Sequence, residues 1–172
     1  MESSHGSTEF KLCVLFTIWG DSELFQHCLK HTVQNIMGGN GDNVIVVYST
    51  ISNFGETAEP PRYFHGAGSL NFEPDLKLDA MTNETNKRNF ALDWARKNGF
   101  THFLMADEDE YYEPEEFKNE LKRFENPNLM GLVCRVKCYF RSPTLTIGYD
   151  TTLVPFIHKL TPTIQCEFKR NY

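Results

Sequence analysis

Two uninterrupted apolar runs separated by a stretch of helical periodicity constrain the fold of this chain more than any other feature. Phe10 to Trp19 is continuous enough to be a strand buried on both faces. Gly20-Asp21-Ser22 follows, a turn with N-cap chemistry. Leu24, Phe25, Cys28, Leu29, Val33, Ile36 and Met37 then recur at helical spacing until Gly38-Gly39 stops them. Asn43 to Tyr48, with Val44-Ile45-Val46-Val47 at its centre, reads as a second buried strand. Strand, helix, strand within fifty residues is a βαβ unit, which requires parallel strands and helices packed on the sheet.

The remainder extends this pattern. Asn53 to Asp79, carrying Pro60-Pro61, Gly66, Gly68 and Pro74, reads as mainly irregular, with room for one short strand. A second helix is expected from about Thr85 to Asn98, with Phe90, Ala91, Trp94 and Ala95 on one face and Gly99 as its stop. Thr101 to Ala106 is a short buried strand, and it ends in four consecutive acids, Asp107-Glu108-Asp109-Glu110. A third helix starts at Glu113-Pro114 and buries Phe117, Leu121 and Phe124. Leu129 to Phe140 and Leu145 to His158 are expected to be strands that pair antiparallel across a short gap containing Pro143. The expected fold is an α/β/α sandwich with a mainly parallel central sheet and a small antiparallel C-terminal part. It forms one domain over 10–172, behind a flexible tail at 1–9.

Composition narrows the function classes. A length of 172 residues with 40% hydrophobic content supports one domain with a sizeable core. The net charge of −6 argues against nucleic acid as a partner, because such proteins carry a basic stripe. The apolar runs are too short to cross a bilayer, so no transmembrane segment is expected. Met1 to Glu9 shows no apolar signal core, and five cysteines, an odd number, suggest reduced thiols. Together these point to a cytoplasmic protein. Cys134 and Cys138 lie four residues apart in a strand-like run, ~13 Å at strand rise, too far to share one metal.

The acidic run carries the chemistry. Placed directly after a buried strand, it sits at the carboxyl end of a sheet, where open α/β folds bind ligands. Carboxylates at i and i+2 can converge on one hard cation once the strand turns, and Mg²⁺ or Mn²⁺ is commonly shared between carboxylates and substrate phosphates. Read alone, an acidic run is more often a solvated turn; its place between a buried strand and Tyr111-Tyr112 favours a crevice. Asn86-Lys87-Arg88-Asn89 is read as the opening of the helix before that strand, where amides and two cations suit a diphosphate. His27 and His31, spaced i, i+4 with Glu23 before them, are read as a polar helix face, and His102 as structural.

Lys87-Arg88-Asn89-Phe90-Ala91-Leu92, Ala95, Gly99, the Thr101 to Ala106 strand and Asp107-Glu108-Asp109-Glu110-Tyr111 resemble the GT-A glycosyltransferases. In that family a helix with an Arg-Asn start leads into a strand ending in Asp-x-Asp. The resemblance covers about Lys11 to Phe124. It implies transfer of a sugar from a nucleotide-diphosphate sugar donor to a glycan or glycoprotein acceptor, dependent on Mn²⁺ or Mg²⁺. It implies Asp109 as metal ligand and Asp107 on the donor ribose or sugar and the metal. It places Thr17, Ile18 and Trp19 on the nucleotide base and Lys87 and Arg88 near the donor diphosphate. His158 is implied as a third metal ligand, since a histidine late in the chain serves so in some relatives. An inverting enzyme also needs a carboxylate base; of Asp150 and Glu167, Asp150 is preferred. Many relatives end the second strand with an acid that reads the base, where this chain has Ser49-Thr50-Ile51-Ser52. The alternative is a nucleotide-sugar-binding domain without transferase activity.

Overall fold

The structure, a computed structural model, describes residues 9–139 and 146–167, with side chains undescribed at 146, 147 and 149–152. Six strands form one sheet: β1 (Leu12–Trp19), β2 (Val44–Ser49), β3 (Gly68–Asn71), β4 (His102–Ala106), β5 (Gly131–Tyr139) and β6 (Thr146–Lys159). Their order is β3-β2-β1-β4-β6-β5. The first four strands are parallel, while β6 runs antiparallel to both β4 and β5. The expected mainly parallel sheet is present, and β1 lies between β2 and β4 as their shared neighbour. Of the expected tail at 1–9, residues 1–8 lie outside the described residues, as do Phe140 to Leu145 between β5 and β6, while the Glu9 carbonyl accepts from the Thr101 hydroxyl. No helix among the described residues is long and apolar enough to cross a membrane.

Sheet-facing side chains divide by strand parity into two cores. Leu12, Val14, Phe16 and Ile18 of β1 pack with Phe25 and Leu29 of α1 (Glu23–His31), with Val33 and Ile36 beyond it, and with Phe117 of α3 (Pro114–Leu121). Cys13 and Leu15 point the other way, against Ala91, Leu92 and Ala95 of α2 (Ala80–Lys97). Period-two alternation with both faces covered is why β1 reads as unbroken apolar sequence. The parallel order runs β1, β2, β3 in one direction and resumes with β4 on the other side of β1. Crossovers are right-handed, so reversing direction along the sheet sends the connecting helix to the opposite face. That accounts for α1 and α2 on opposite faces.

α2 begins earlier than its periodicity predicts. Asp79 caps it, accepting from the Thr82 amide at 3.0 Å and the Thr82 hydroxyl at 2.6 Å. Lys87 and Arg88 therefore lie in the interior of α2, and the expectation that they sit among free amides at a helix start is corrected. The sheet-facing stripe of α2 changes character along its length. Asn83 and Lys87 are buried in the first half, and Ala91, Leu92 and Ala95 in the second. Asn83 donates to the Asp75 carbonyl and accepts from the Asp75 amide, at 2.9 and 3.0 Å, fixing the approach to the helix.

β2 is brought into line by a close backbone crossing at Gly41. A Cβ there would lie 2.2 Å from the Gly66 carbonyl oxygen, which is backbone and cannot swing aside. Gly41→Ala should therefore destabilise the fold by about 1–3 kcal/mol, the usual cost of overpacking. Urea unfolding checks this, and a midpoint equal to that of the parent would show that the crossing yields freely.

Candidate functional site

The site is assembled where β1 and β4 end side by side. Phe16 of β1 is in register with Ala106 of β4, so the residues after them, Thr17 to Trp19 and Asp107 to Glu110, emerge together at the carboxyl edge. The strand order reverses between these two strands, and the reversal opens a crevice into which ligands of open α/β sheets bind. Trp19 is 43% exposed at this edge, whereas Thr17 and Ile18 are buried.

α2 delivers two cations to the same edge. Lys87 is only 6% exposed, and its ammonium donates to the Ile18 carbonyl at the end of β1. Burial lowers its pKa to about 8; nearby Glu84 and Glu108 favour the charge, and Arg88 opposes it. Arg88 reaches further. Its Nε donates to Glu84 at 2.8 Å and its terminal nitrogen to Asp107 at 2.6 Å. Burial works against the Arg88 charge, but Asp107 and Glu84 outweigh it and hold the pKa above the ordinary arginine value. Glu84 also accepts from the Thr17 hydroxyl at 3.5 Å, which ties β1, α2 and the acidic turn into one network. Sequence reasoning passed over Glu84. The i, i+4 spacing of Glu84 and Arg88 is the signal that points to it.

The four acids close a turn in which the Glu110 amide donates to the Asp107 carbonyl at 3.3 Å. Asp107, Glu108 and Asp109 are exposed and Glu110 is half-buried. The carboxylates of Glu108 and Asp109 accept no hydrogen bond from a described residue. Burial, together with Asp109 and Asp107, raises the Glu108 pKa against the pull of Lys87. The field of the turn extends to α1. The Cys28 thiol is pushed up to about 11, by burial first and then by Asp109, Glu110 and Glu108. Glu110 receives the Tyr112 hydroxyl. The turn is moored to α1 by His31, whose Nε2 lies 2.8 Å from the Tyr112 carbonyl oxygen and whose ring stacks on Tyr111 at 3.9 Å. That is the work of a histidine expected to be a plain polar face.

Not every expected site residue arrives here. His158 pairs with Phe103, four residues before Asp107 and ~13 Å away at strand rise, so it is at the far end of β4 from the acids. Its ring fills the space left by Gly131, where a Cβ would meet Nδ1 at 2.3 Å. Asp150 lies on β6 in the part of the β5–β6 ribbon that outruns β4, and its side chain is outside the described residues. Glu167 follows Cys166, whose backbone is held by the Asn89 amide at 2.8 and 3.2 Å, so the chain near Glu167 returns to α2 beside Arg88.

The donor set suits a hard cation: every group at the turn is a carboxylate oxygen, and two carboxylates keep their acceptor capacity. Among the described residues no group of three His, Cys, Asp or Glu side chains closes into a metal cage. A cation held by this turn would need oxygens from water or substrate to complete its shell. No known family model matches the chain, and no curated protein matches it either.

Lys87 has a measurable pH signature. The unfolded chain keeps the lysine proton up to the ordinary value of 10.5, whereas the folded protein releases it near 8. Between those values unfolding takes up a proton, so stability rises with pH; below about 8 both states are protonated and the slope vanishes. At ~1.4 kcal/mol per pKa unit the rise is on the order of 3 kcal/mol. Subtracting the urea-unfolding curve of Lys87→Met, measured from pH 7 to 11, from that of the parent should isolate this rise. Parallel curves across that range would place the ammonium in a solvated setting.

Proposed function

We propose that the chain is a metal-dependent glycosyltransferase domain of GT-A type, taking a nucleotide-diphosphate sugar as donor and a glycan or glycoprotein as acceptor. One observation carries the reading: at the carboxyl edge where the strand order reverses, Arg88 meets Asp107 and Lys87 lies in the field of Glu108, with Asp109 in the same turn. Opposite charges in that arrangement complement a cation bound to a diphosphate. A lone acidic turn would need no buried lysine at the end of β1 behind it.

Roles follow from placement. Asp109, exposed and accepting no hydrogen bond from a described residue, would ligate Mn²⁺ or Mg²⁺, with Asp107 beside it. The bound cation supplies charge neutralisation for a departing nucleoside diphosphate. Arg88 would hold a phosphate oxygen through its planar fork, and Lys87, fixed on the Ile18 carbonyl, would lend positive charge from behind. Thr17, Ile18 and Trp19 border the position of the nucleotide, with the exposed Trp19 ring available for stacking on a base. The base that activates the acceptor hydroxyl is assigned to Asp150 only by the resemblance.

Asp109→Asn separates this reading from a solvated turn. The substitution keeps size, relieves repulsion among neighbouring acids, and should leave the fold intact or slightly more stable. It should weaken Mn²⁺-dependent binding of nucleoside diphosphates by about 1.5–3 kcal/mol, the range for interactions with charged groups. Calorimetry with a panel of nucleoside diphosphates and Mn²⁺ measures this, and equal binding by both proteins removes the metal role. Donor hydrolysis with and without Mn²⁺ then distinguishes a transferase from a nucleotide-sugar-binding domain.

A further inference from the structure

The two-stranded ribbon of β5 and β6 outruns the sheet on the side of the acidic turn. β6 pairs with β4 only from Ile157 to Lys159, whereas its pairing with β5 continues back to Thr146. Because β6 runs antiparallel to β4, the residues before Ile157 lie toward and past the carboxyl end of β4, where Asp107 begins. One face of the ribbon belongs to the core: Leu132, Cys134 and Phe156 pack with the cluster on the α1 side. The opposite face, on the side of α2, is open to solvent. Val133, Tyr139 and Leu153 are each more than half exposed there, and Arg135 and Lys137 alternate with Val133 and Tyr139 along β5. Arg135 stands opposite Leu153 on the ladder, and the Lys137 ammonium lies 5.5 Å over the Tyr139 ring.

This face runs against the charge of the chain, which is −6. Arg62, Arg88, Arg96 and Arg123 each hold a carboxylate. Arg135 and Lys137 hold none among the described residues, and the described side chains of β5 and β6 include no acid. A free planar guanidinium matches a carboxylate, and a tyrosine ring offers a flat apolar surface beside a polar tip. We propose that the open face of the ribbon binds an acidic glycan, a chain of sugar rings carrying carboxylates. Arg135 and Lys137 donate to the carboxylates, and Tyr139, with Val133 and Leu153 beside it, packs against the apolar faces of the rings. An anionic membrane is the poorer match. Asp107, Glu108 and Asp109 are exposed next to the ribbon, and a flat surface would press them toward headgroups of their own sign. A single flexible chain follows the ribbon and avoids them. The glycan's role as acceptor, led by the ribbon to the crevice, rests on the reading of that crevice as a transferase site.

Calorimetry at low ionic strength with a galacturonate oligomer and with its methyl ester tests the assignment, since the two share their rings and differ in charge. The parent should bind the acid about tenfold more tightly than the ester, the scale of one charge-assisted hydrogen bond. Arg135→Gln should weaken binding of the acid by a similar factor, and Lys137→Gln, the second variant, about threefold, the scale of an exposed charge contact. Tyr139→Ala should weaken it about fivefold, the scale of a lost aromatic contact. Lys118→Gln on α3 removes the same charge from an exposed pair elsewhere and should change nothing. Equal binding of acid and ester overturns the proposal, as does equal binding by the parent and both charge variants. A loss as large in Lys118→Gln is a general field effect and overturns it too. Vesicles of anionic phospholipid that bind through Arg135 and Lys137 where the oligomer does not would make the face a lipid surface instead. Mn²⁺ with nucleoside diphosphates tests the crevice separately. Nucleotide bound without the oligomer sinks this inference alone; the oligomer bound through Arg135 without nucleotide upholds the glycan face and removes the acceptor role.

Discussion

β1 has neither a free edge nor a solvent-facing side. β2 and β4 take its two hydrogen-bonding edges, and α1 and α2 cover its two faces. Only its carboxyl end, from Thr17 to Trp19, is left to meet anything else, and everything of chemical interest gathers there. The Ile18 carbonyl belongs to the edge of β1 that pairs with β2, and it also accepts the Lys87 ammonium from above the sheet. The facing turn of α2 is therefore polar, at a place where an α/β sandwich ordinarily packs aliphatic side chains.

Burying that ammonium has a counterpart in the acidic turn. The field of Glu84 and Glu108 favours the charged lysine, and Lys87 in turn opposes the burial and the repulsion that raise the Glu108 pKa. Arg88 offsets the charge of Asp107 across the crevice. The acids of the turn and the two cations are electrostatically coupled. The coupled set is incomplete toward solvent, because the outer carboxylates of Glu108 and Asp109 have no described hydrogen-bond partner. Charge still to be neutralised at an open, preorganised edge is what a site for a cation requires.

How far the fold could be read from sequence depended on where the period survived. β1, β2 and β4 are buried on both faces and announce themselves as apolar runs. α2 is half legible, because Ala91, Leu92 and Ala95 keep a helical period while Asn83 and Lys87, on the same buried stripe, interrupt it. The helix start at Asp79 was hidden for that reason, and Lys87 and Arg88 looked like a helix opening. β3, with the sequence Gly-Ser-Leu-Asn, has no pattern of its own and exists through pairing with β2. At the site, the acids and the two cations could be named in advance because their residue types are unusual for their positions. Glu84 carried one local mark, its i, i+4 spacing to Arg88, and His31 none, since their contacts to Thr17 and Tyr112 lie 67 and 81 positions away. His158 was out of reach for a related reason: strand register, which sets it opposite Phe103, follows from pairing and leaves no local mark.

The mooring of the turn decides what its charge can do. Four adjacent carboxylates on a free loop would relieve their repulsion by splaying apart, and the field would average away. Here Ala106 ends a paired strand on one side. On the other, Tyr112 is fixed through its carbonyl to His31, and its ring packs edge-on against Phe117 at 5.8 Å and beside Phe156 at 5.6 Å. His31 is itself held, with Nδ1 at 2.9 Å from the Asn35 amide nitrogen. The two ends of the turn are thus set by core packing and by α1, neither of which the acids can move. The repulsion remains in place as a standing field, directed at the crevice between β1 and β4. A cation bound as proposed would meet carboxylates that need little rearrangement, the condition under which electrostatic stabilisation is strongest. In this chain the aromatic mooring at Tyr111 and Tyr112 is as much a part of the site as the acids are.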